Sequence, residues 1–180
     1  MCLKNNDPYI ELAQTALETY LKNGYIIDWK QLKLNGIKPG KRGCFVTIRK
    51  NNELRGCMGT FQPERDCLAD EIIHNAIFAG VMDSRFLPVT CEELPSLEYV
   101  VDVLEEPERI CITDEYNVRE YGIIVIKDNR TGLLLPDLTG ISTKEEQLNI
   151  ALSKAGISRD ENFTLMRFRV EHHSYNPIKH

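Results

Sequence analysis

The sequence predicts an α+β fold in which a mainly antiparallel sheet is flanked by helices. Two stretches support this class: residues 43–59 and 122–136 each begin with a glycine, continue as two apolar strands around a polar turn, and precede a helix. Hairpins that precede helices favour antiparallel pairing, because parallel strands need a longer crossover between them. We therefore predict two hairpin-plus-helix repeats, about residues 43–82 and 122–156, within a single domain over residues 1–180.

The first predicted element is a helix over residues 8–22. Asp7 suits its N-cap, Pro8 suits the first helical position, and Gly24 suits the residue after its end. Apolar residues recur at helical spacing and form one stripe for burial, made up of Tyr9, Leu12, Ala13, Ala16, Leu17 and Tyr20.

The first hairpin is predicted from a strand over residues 44–49 and a tight turn at residues 51–52, where two asparagines tolerate left-handed backbone geometry. Residues 54–59 form the returning strand. With a two-residue turn, three cross-strand pairs follow, namely Ile48 with Arg55, Val46 with Cys57 and Cys44 with Gly59. Cys44 and Cys57 then share a face, whereas a loop one residue longer breaks this pairing.

A helix and a charged loop complete the first repeat. The helix is predicted over residues 67–81 with Asp66 as its N-cap, and the loop over residues 83–88 follows it. Thr90 and Glu93 then have the spacing of a capping box, which predicts a short helix.

The rest of the chain follows the same patterns. Thr143 and Glu146 supply a capping box for the third long helix, and Gly156 supplies its end. The predicted elements are a strand over residues 99–104, strands over 122–127 and 132–136 joined by a turn at 128–131, a helix over 144–155, and a strand over 163–170.

The charge balance disfavours a nucleic-acid partner. Acidic residues outnumber basic ones by 27 to 22 and the net charge is -5, whereas phosphate binding relies on clustered lysines and arginines. No run of about 18 apolar residues predicts a membrane span, and the first residues lack the apolar run of a signal peptide. A cytoplasmic location is therefore expected, with neither nucleic acid nor a membrane as a partner.

The cysteine and histidine pattern predicts no metal site. None of the six cysteines belongs to a Cys-x-x-Cys pair, and without a secretion signal we expect reduced thiols. The alternative metal site is the tail with Glu171, His172, His173 and His180, but adjacent histidines in a strand point to opposite faces. The chain contains no Gly-rich phosphate loop and no dinucleotide-binding fingerprint, so no cofactor is predicted.

The hexapeptide Leu54–Gly59 is the candidate site. Alternation along a strand places Arg55 and Cys57 on one face, and Gly56 and Gly59 leave the backbone open to a ligand. A nearby guanidinium lowers the pKa of a thiol, so Arg55 is the predicted activator of a nucleophilic Cys57. The alternative is that Cys57 is a small buried residue in the packing between sheet and helix.

Two opposite charges in the loop after the second helix are the predicted substrate-binding pair. Arg85 offers a fork for a carboxylate or phosphate, and Asp83 lies two residues before it. The alternative is a structural ion pair that fixes the turn and lets Phe86 and Leu87 anchor in the core.

Three ordered stretches, residues 54–59, 83–90 and 132–136, resemble the signature of the AMMECR-one domain family, component A of the AmmeMemoRadiSam system of bacteria and archaea. The resemblance covers about residues 13–170, and its departures are Met58, where isoleucine is more usual, and the histidine-rich tail. It implies an α+β fold with internal duplication and an association with a Memo-like protein and a radical-SAM protein. It implies no settled activity.

Two functions remain open from the sequence. The first is a cysteine-dependent enzyme or pathway component acting on a small polar molecule or peptide group, with Cys57 as the reactive residue, Arg55 as its activator, and Asp83, Arg85, Gly56 and Gly59 binding the substrate. The second is a non-catalytic interaction or adaptor module that uses a groove at residues 54–59. Only the first repeat has a cysteine in its returning strand, which places the function there.

Overall fold

The computed structural model describes residues 7–174, which form two compact units. Residues 7–103 and 172–174 make up the first unit, and residues 104–171 make up the second. Each unit contains one predicted repeat, and the prediction of a single domain stays a prediction. Within the described residues, none of the helices has the length and apolar composition that a bilayer-spanning helix requires.

The α+β class with antiparallel sheets is confirmed. The first sheet has the strand order β2-β1-β3-β8, and the second has the order β4-β7-β5-β6. The helices are α1 Pro8–Asn23, α2 Leu68–Val81 and α3 Lys144–Ala155, and the strands are β1 Cys44–Lys50, β2 Glu53–Thr60, β3 Leu97–Leu104, β4 Glu108–Ile110, β5 Gly122–Lys127, β6 Arg130–Leu134, β7 Thr164–Phe168 and β8 Val170–Ser174.

The two repeats pack a helix against a hairpin in the same way. In each, the strand after the helix pairs antiparallel with the first strand of the hairpin, β3 with β1 and β7 with β5. A Cβ added to Gly56 would lie 3.0 Å from the carbonyl carbon of Ala79 in α2, and one added to Gly132 would lie 3.0 Å from that of Ala151 in α3. Both glycines therefore allow the helix backbone to approach the returning strand closely.

The two hairpins differ by one residue. Val125 pairs with Gly132 and Ile48 pairs with Gly56, but the first hairpin shifts register between Ile48 and Arg49. Arg55 is the additional residue on β2, which makes it the centre of a β-bulge that the second hairpin does not have.

This bulge makes the predicted cross-strand pairs wrong. The turn at residues 51–52 forms as predicted, with φ values of 53° and 65°, yet Cys57 lies opposite Thr47 and Gly59 lies opposite Phe45. An inserted residue moves every later residue by one position, and side chains change face with each position. Cys44 consequently points into the core towards α2, and Cys57 points to the other face of the sheet.

The helix ends agree with the sequence at α1 and α3 but not at α2. Asp7 and the Thr143–Glu146 capping box act as predicted. At α2 the N-cap is Cys67, and the Leu68 N–H, which an Asp66 cap could have bonded, donates to the Gly40 carbonyl at 2.9 Å. Asp66 instead accepts a bond from Lys41 Nζ at 2.9 Å.

The predicted strand over residues 163–170 corresponds to β7, and a further strand, β8, follows it in the other sheet. His172 and His173 point to opposite faces of β8, and each meets a carboxylate: His172 Nδ1 lies 2.7 Å from Asp102, and His173 Nδ1 lies 2.8 Å from Asp7. His180 lies outside the described residues. Among residues 7–174, no three His, Cys, Asp or Glu side chains are arranged to hold a metal ion.

Candidate functional site

The predicted site residues lie where the loop after α2 runs along β2, the edge strand of the first sheet. We call residues 82–93 the clamped loop, because two groups of bonds tie them to β2. One group centres on Arg55 and Glu93, and the other on Asp83 and the backbone of Cys57. The structure thus brings Arg55, Cys57 and Asp83 together, as the sequence predicts, but with different bonds.

Arg55 makes a largely buried ion pair with Glu93. Its Nε and Nη2 donate to the two oxygens of Glu93 at 3.0 and 2.9 Å, and its Nη1 donates to the Leu87 carbonyl at 2.9 Å. The side chains of Arg55 and Glu93 are only 16% and 17% exposed. Hydrogen bonds from Arg55, and less so from Lys50 and the Thr90 N–H, lower the pKa of Glu93 to about 2.

These bonds join the Arg55 guanidinium to the loop, and its predicted action on the Cys57 thiol stays a prediction. All three nitrogens of its guanidinium donate to Glu93 or Leu87, and no hydrogen bond in the described part of the chain joins them to the Cys57 thiol. The bulge explains this placement, because the additional residue on β2 carries its side chain over the edge of the sheet towards the loop.

Asp83 accepts four N–H groups. Its Oδ2 takes the Cys57 backbone N–H at 2.9 Å and Arg85 Nη2 at 2.6 Å, and its Oδ1 takes the Arg85 backbone N–H and Nε at 3.1 and 2.9 Å. These bonds, above all those from the Arg85 side chain, hold the pKa of Asp83 well below its usual range. Asp83 therefore satisfies an edge-strand donor that would otherwise be open to another strand.

The Cys57 thiol is half-buried and lies against Thr47. The Thr47 hydroxyl donates to Sγ at 3.3 Å. Burial raises the pKa of Cys57, although the Thr47 bond and the charge of Arg85 act in the opposite direction. The shift is therefore upward, whereas the sequence predicted a lowered pKa, because loss of water around the thiol outweighs a guanidinium that Asp83 already neutralises.

The two predicted substrate-binding glycines each lie against other groups of the protein. Gly56 faces α2 at Ala79, on the side of the sheet away from the thiol. At Gly59 an added Cβ would overlap the ring of Phe45, which lies over this position. Gly56 is buried and serves a packing contact, whereas Gly59 is half-buried, and ligand binding at Gly59 stays a prediction.

The clamped loop and β2 expose large apolar side chains. Leu87 is 84% exposed, Met82 is 63% exposed and Leu54 is 42% exposed. Each is bonded to, or adjacent to, a residue that fixes the loop: Leu54 precedes Arg55, Met82 precedes Asp83, and the carbonyl of Leu87 accepts from Arg55. The alternative interpretation of Asp83 and Arg85, a structural ion pair in the turn, placed Leu87 in the core, and this placement of Leu87 is wrong.

Sequence reasoning missed two residues of this site, Glu93 and Leu87. Glu93 carries a sequence signal as the last residue of a capping box, and its Oε2 does accept the Thr90 N–H at 3.1 Å. The capping-box pattern predicts this bond to Thr90 but not the ion pair between Glu93 and Arg55. Phe86 and Leu87 are adjacent apolar residues, and the sequence does not show which of them is exposed. In the structure Phe86 is half-buried and Leu87 is exposed.

The second repeat has no equivalent of this arrangement. The register places Leu133 at the position of Cys57 and leaves no counterpart of Arg55. The edge of β6 is covered by a cation instead, with Lys154 Nζ donating to the Leu133 carbonyl at 3.4 Å. The clamped loop is therefore a feature of the first repeat.

Comparisons with known proteins agree on one family. A family model described as AMMECR1 matches residues 10–173. Protein CA_C1420 of Clostridium acetobutylicum is 43% identical over 171 residues, which are 94% of this chain but only 36% of that protein. A protein of Thermotoga maritima is 42% identical over 166 residues, 91% of this chain and 95% of its own length.

A solved structure shares the fold. The crystal structure of the uncharacterized protein PH0010 from Pyrococcus horikoshii matches with a TM-score of 0.81 and 32% sequence identity. The match covers 96% of this chain and 93% of that chain.

Proposed function

Since the chain belongs to the AMMECR1 family, whose matched relatives include both a protein of similar length and a much longer one, we propose that it is a protein-interaction module. The clamped loop and Leu54 are its proposed binding surface. The proposed partner is the polypeptide that makes up the unmatched, larger part of the Clostridium relative, or its separate equivalent. When two domains are fused in one protein, we expect related domains that occur as separate chains to bind each other.

The observation that carries this proposal is the exposure of Leu87 on a fixed backbone. Its carbonyl is held by Arg55, and both ends of the loop are bonded to β2 through Asp83 and Glu93. A large apolar side chain gains about 25 cal/mol for each Å² that a partner removes from water. Because the loop is already ordered, little of that gain is lost to ordering it on binding.

The ion pairs of the two arginines and the raised pKa of Cys57 support a binding function more than a catalytic one. Both arginines are paired with carboxylates, and a thiol whose pKa is raised is protonated at neutral pH. A nucleophilic mechanism requires the thiolate. A recognition surface requires none of these groups to react.

Replacing Leu87 with serine tests the proposal. The unmatched part of the Clostridium protein is produced as a separate polypeptide and used as the probe once cooperative urea unfolding has shown that it is folded. Its Kd for this chain is measured by calorimetry. We expect Leu87→Ser to weaken binding by about tenfold or more, because a central apolar anchor is lost.

Ile150→Ser is the matched control, since Ile150 is also an exposed apolar residue but lies on α3 of the second unit. It is expected to leave the Kd unchanged. Equal losses for the two variants, or no binding by the unaltered chain, would overturn the proposed function.

The family resemblance supplies the partner classes to test in the same assay. A Memo-like protein and a radical-SAM protein are proposed as partners. Each is added separately to the chain and to its Leu87→Ser variant, and a partner that uses this surface is expected to discriminate between them.

A second candidate function is cysteine-dependent chemistry on a small polar molecule or peptide group. One observation favours it: Cys57 Sγ accepts a hydrogen bond from Thr47 and lies within the influence of the Arg85 charge, and both favour the thiolate. Arg85 would then orient an anionic substrate beside the thiol.

Alkylation by iodoacetamide separates the two functions. Because burial raises the pKa of Cys57, we expect a single-cysteine chain that keeps Cys57 to react more slowly at pH 7 than free cysteine. A chain that keeps only the exposed Cys91 is the control. Reaction of Cys57 faster than free cysteine would favour the enzymatic function instead.

A further inference from the structure

The free edge of the Arg85 guanidinium indicates what the clamped loop recognises. We propose that the partner segment presents a carboxylate next to an apolar side chain, with the carboxylate on Arg85 and the apolar group on Leu87. This inference rests on the proposed interaction function and specifies the chemistry of its partner.

Arg85 is held on one edge and open on the other. Its Nε and Nη2 donate to Asp83 at 2.9 and 2.6 Å, and its side chain is 56% exposed. Its Nη1 makes no hydrogen bond within the described residues. The guanidinium carries five N–H donors in a planar fork, so Nη1 and the second hydrogen of Nη2 form an outward edge that matches a carboxylate.

Arg55 offers no such edge, although it belongs to the same site. Two of its nitrogens bind Glu93 and the third binds the Leu87 carbonyl. The two arginines therefore have different roles: Arg55 fixes the loop, and Arg85 is available to a partner.

The position of Arg85 is set before any partner arrives. Asp83 binds both its backbone N–H and its side chain, and its guanidinium carbon lies 5.5 Å from the centre of the Phe86 ring. The Phe86 N–H in turn donates to the Asp83 carbonyl at 3.0 Å. A pre-positioned fork binds an anion with less loss of side-chain entropy than a mobile one.

The spacing of Arg85 and Leu87 limits the length of the ligand segment. The two residues are two positions apart in the clamped loop. One short segment with an aspartate, a glutamate or a terminal carboxylate beside an apolar residue can therefore reach both. The open edge of the Arg85 guanidinium selects the carboxylate, because the surrounding charges have no positive excess: Glu92 lies beside Glu93 and offsets the third cation.

Salt dependence of binding tests the inference with the same Clostridium polypeptide as the probe. Kd is measured from 50 to 500 mM NaCl, concentrations chosen so that screening grows from weak to strong. For the unaltered chain we expect affinity to fall as salt rises. Arg85→Gln is expected to weaken binding at low salt by about tenfold and to remove most of the salt dependence.

Two further variants make the result decisive. Arg85→Lys keeps the charge but loses the planar edge, so it is expected to keep the salt dependence and recover only part of the affinity. Arg119→Gln, an exposed arginine of the second unit, is expected to change neither. Hydrogen exchange of the Cys57 N–H reports whether the Asp83 bond survives each substitution.

The outcomes separate this inference from the function on which it rests. If Arg85→Gln binds with the affinity and salt dependence of the unaltered chain while Leu87→Ser weakens binding, the carboxylate inference is overturned and the interaction function stands. A lowered affinity with an unchanged salt dependence also overturns it. If the unaltered chain does not bind the probe, both fall.

Discussion

Gly56→Ala is expected to lower the free energy of unfolding by about 3 kcal/mol or more, at or above the upper end of the usual cost of overpacking a core. The added Cβ would lie 3.0 Å from the carbonyl carbon of Ala79 and closer still to its oxygen. Backbone atoms of a helix cannot rotate away as a side chain can. Either α2 moves off β2 or the hairpin bends, and both expose part of the core. Urea denaturation followed by circular dichroism measures the loss.

The second repeat supplies a matched comparison. Gly132→Ala places a Cβ at the same 3.0 Å from the carbonyl carbon of Ala151, so a similar loss is expected in the second unit. Gly80→Ala is the milder control, because all three atoms nearest to its added Cβ belong to the Leu17 side chain, which can shift more easily than backbone. A Gly56→Ala chain as stable as the Gly80→Ala chain would show that the helix does not rest on this strand.

The second large effect is expected at Arg55. Arg55→Ala removes three hydrogen bonds and leaves Glu93, which is largely buried, with Lys50 as its remaining cationic partner. Breaking a buried pair from one side costs about 3 kcal/mol, and the residual Lys50 bond reduces this to about 2 kcal/mol. We also expect binding of the Clostridium probe to weaken by about tenfold, because Leu87 is no longer held in place.

A double-mutant cycle with Glu93→Gln isolates the pair. If Arg55 and Glu93 stabilise the protein through each other, the double variant loses less stability than the two single losses added together. Lys41→Ala is the control, since Lys41 pairs with Asp66 at the exposed surface and solvent screening leaves such pairs little effect on stability. Additive losses at Arg55 and Glu93 would contradict a clamp.

The same pair predicts an acid-dependent loss of stability. Glu93 has a folded-state pKa of about 2 against an ordinary value of 4.5, so its contribution is fully present above about pH 4.5 and is lost as the pH falls towards 2. In Arg55→Ala this part of the pH dependence shrinks. Asp83, whose pKa is also lowered, contributes equally to both chains and cancels in the comparison. Identical acid profiles would show that Arg55 does not hold Glu93 ionised.

The hairpins of the two repeats differ by one residue, and this difference accounts for the presence of the site in the first repeat alone among the described residues. Both repeats keep a glycine where the helix crosses the returning strand, and both cover the free edge of that strand with a charged side chain. The first repeat adds a single residue, Arg55, whose side chain then reaches the loop after α2. The β1–β2 hairpin, which has the additional residue, binds the clamped loop through it, whereas the β5–β6 hairpin has no such residue.

Local signals in the sequence were sufficient for the helix ends and the turn. Asp7, the Thr143–Glu146 capping box and Gly156 act on residues within three or four positions, so their partners are visible in the sequence itself. The turn at residues 51–52 follows from the backbone preference of asparagine alone. The failure at Asp66 has a tertiary cause, because the Gly40 carbonyl takes the Leu68 N–H.

The sequence by itself therefore determined the α+β class, the repeats and the hexapeptide as the stretch of interest. Only the tertiary structure decided which face Cys57 occupies, what Arg55 binds and whether Leu87 is buried. Strand faces alternate with every residue, so one bulge reverses the assignment of all residues beyond it. That bulge is accompanied by a bond between Arg55 and Glu93, which are 38 residues apart, and no local preference encodes a contact at that separation.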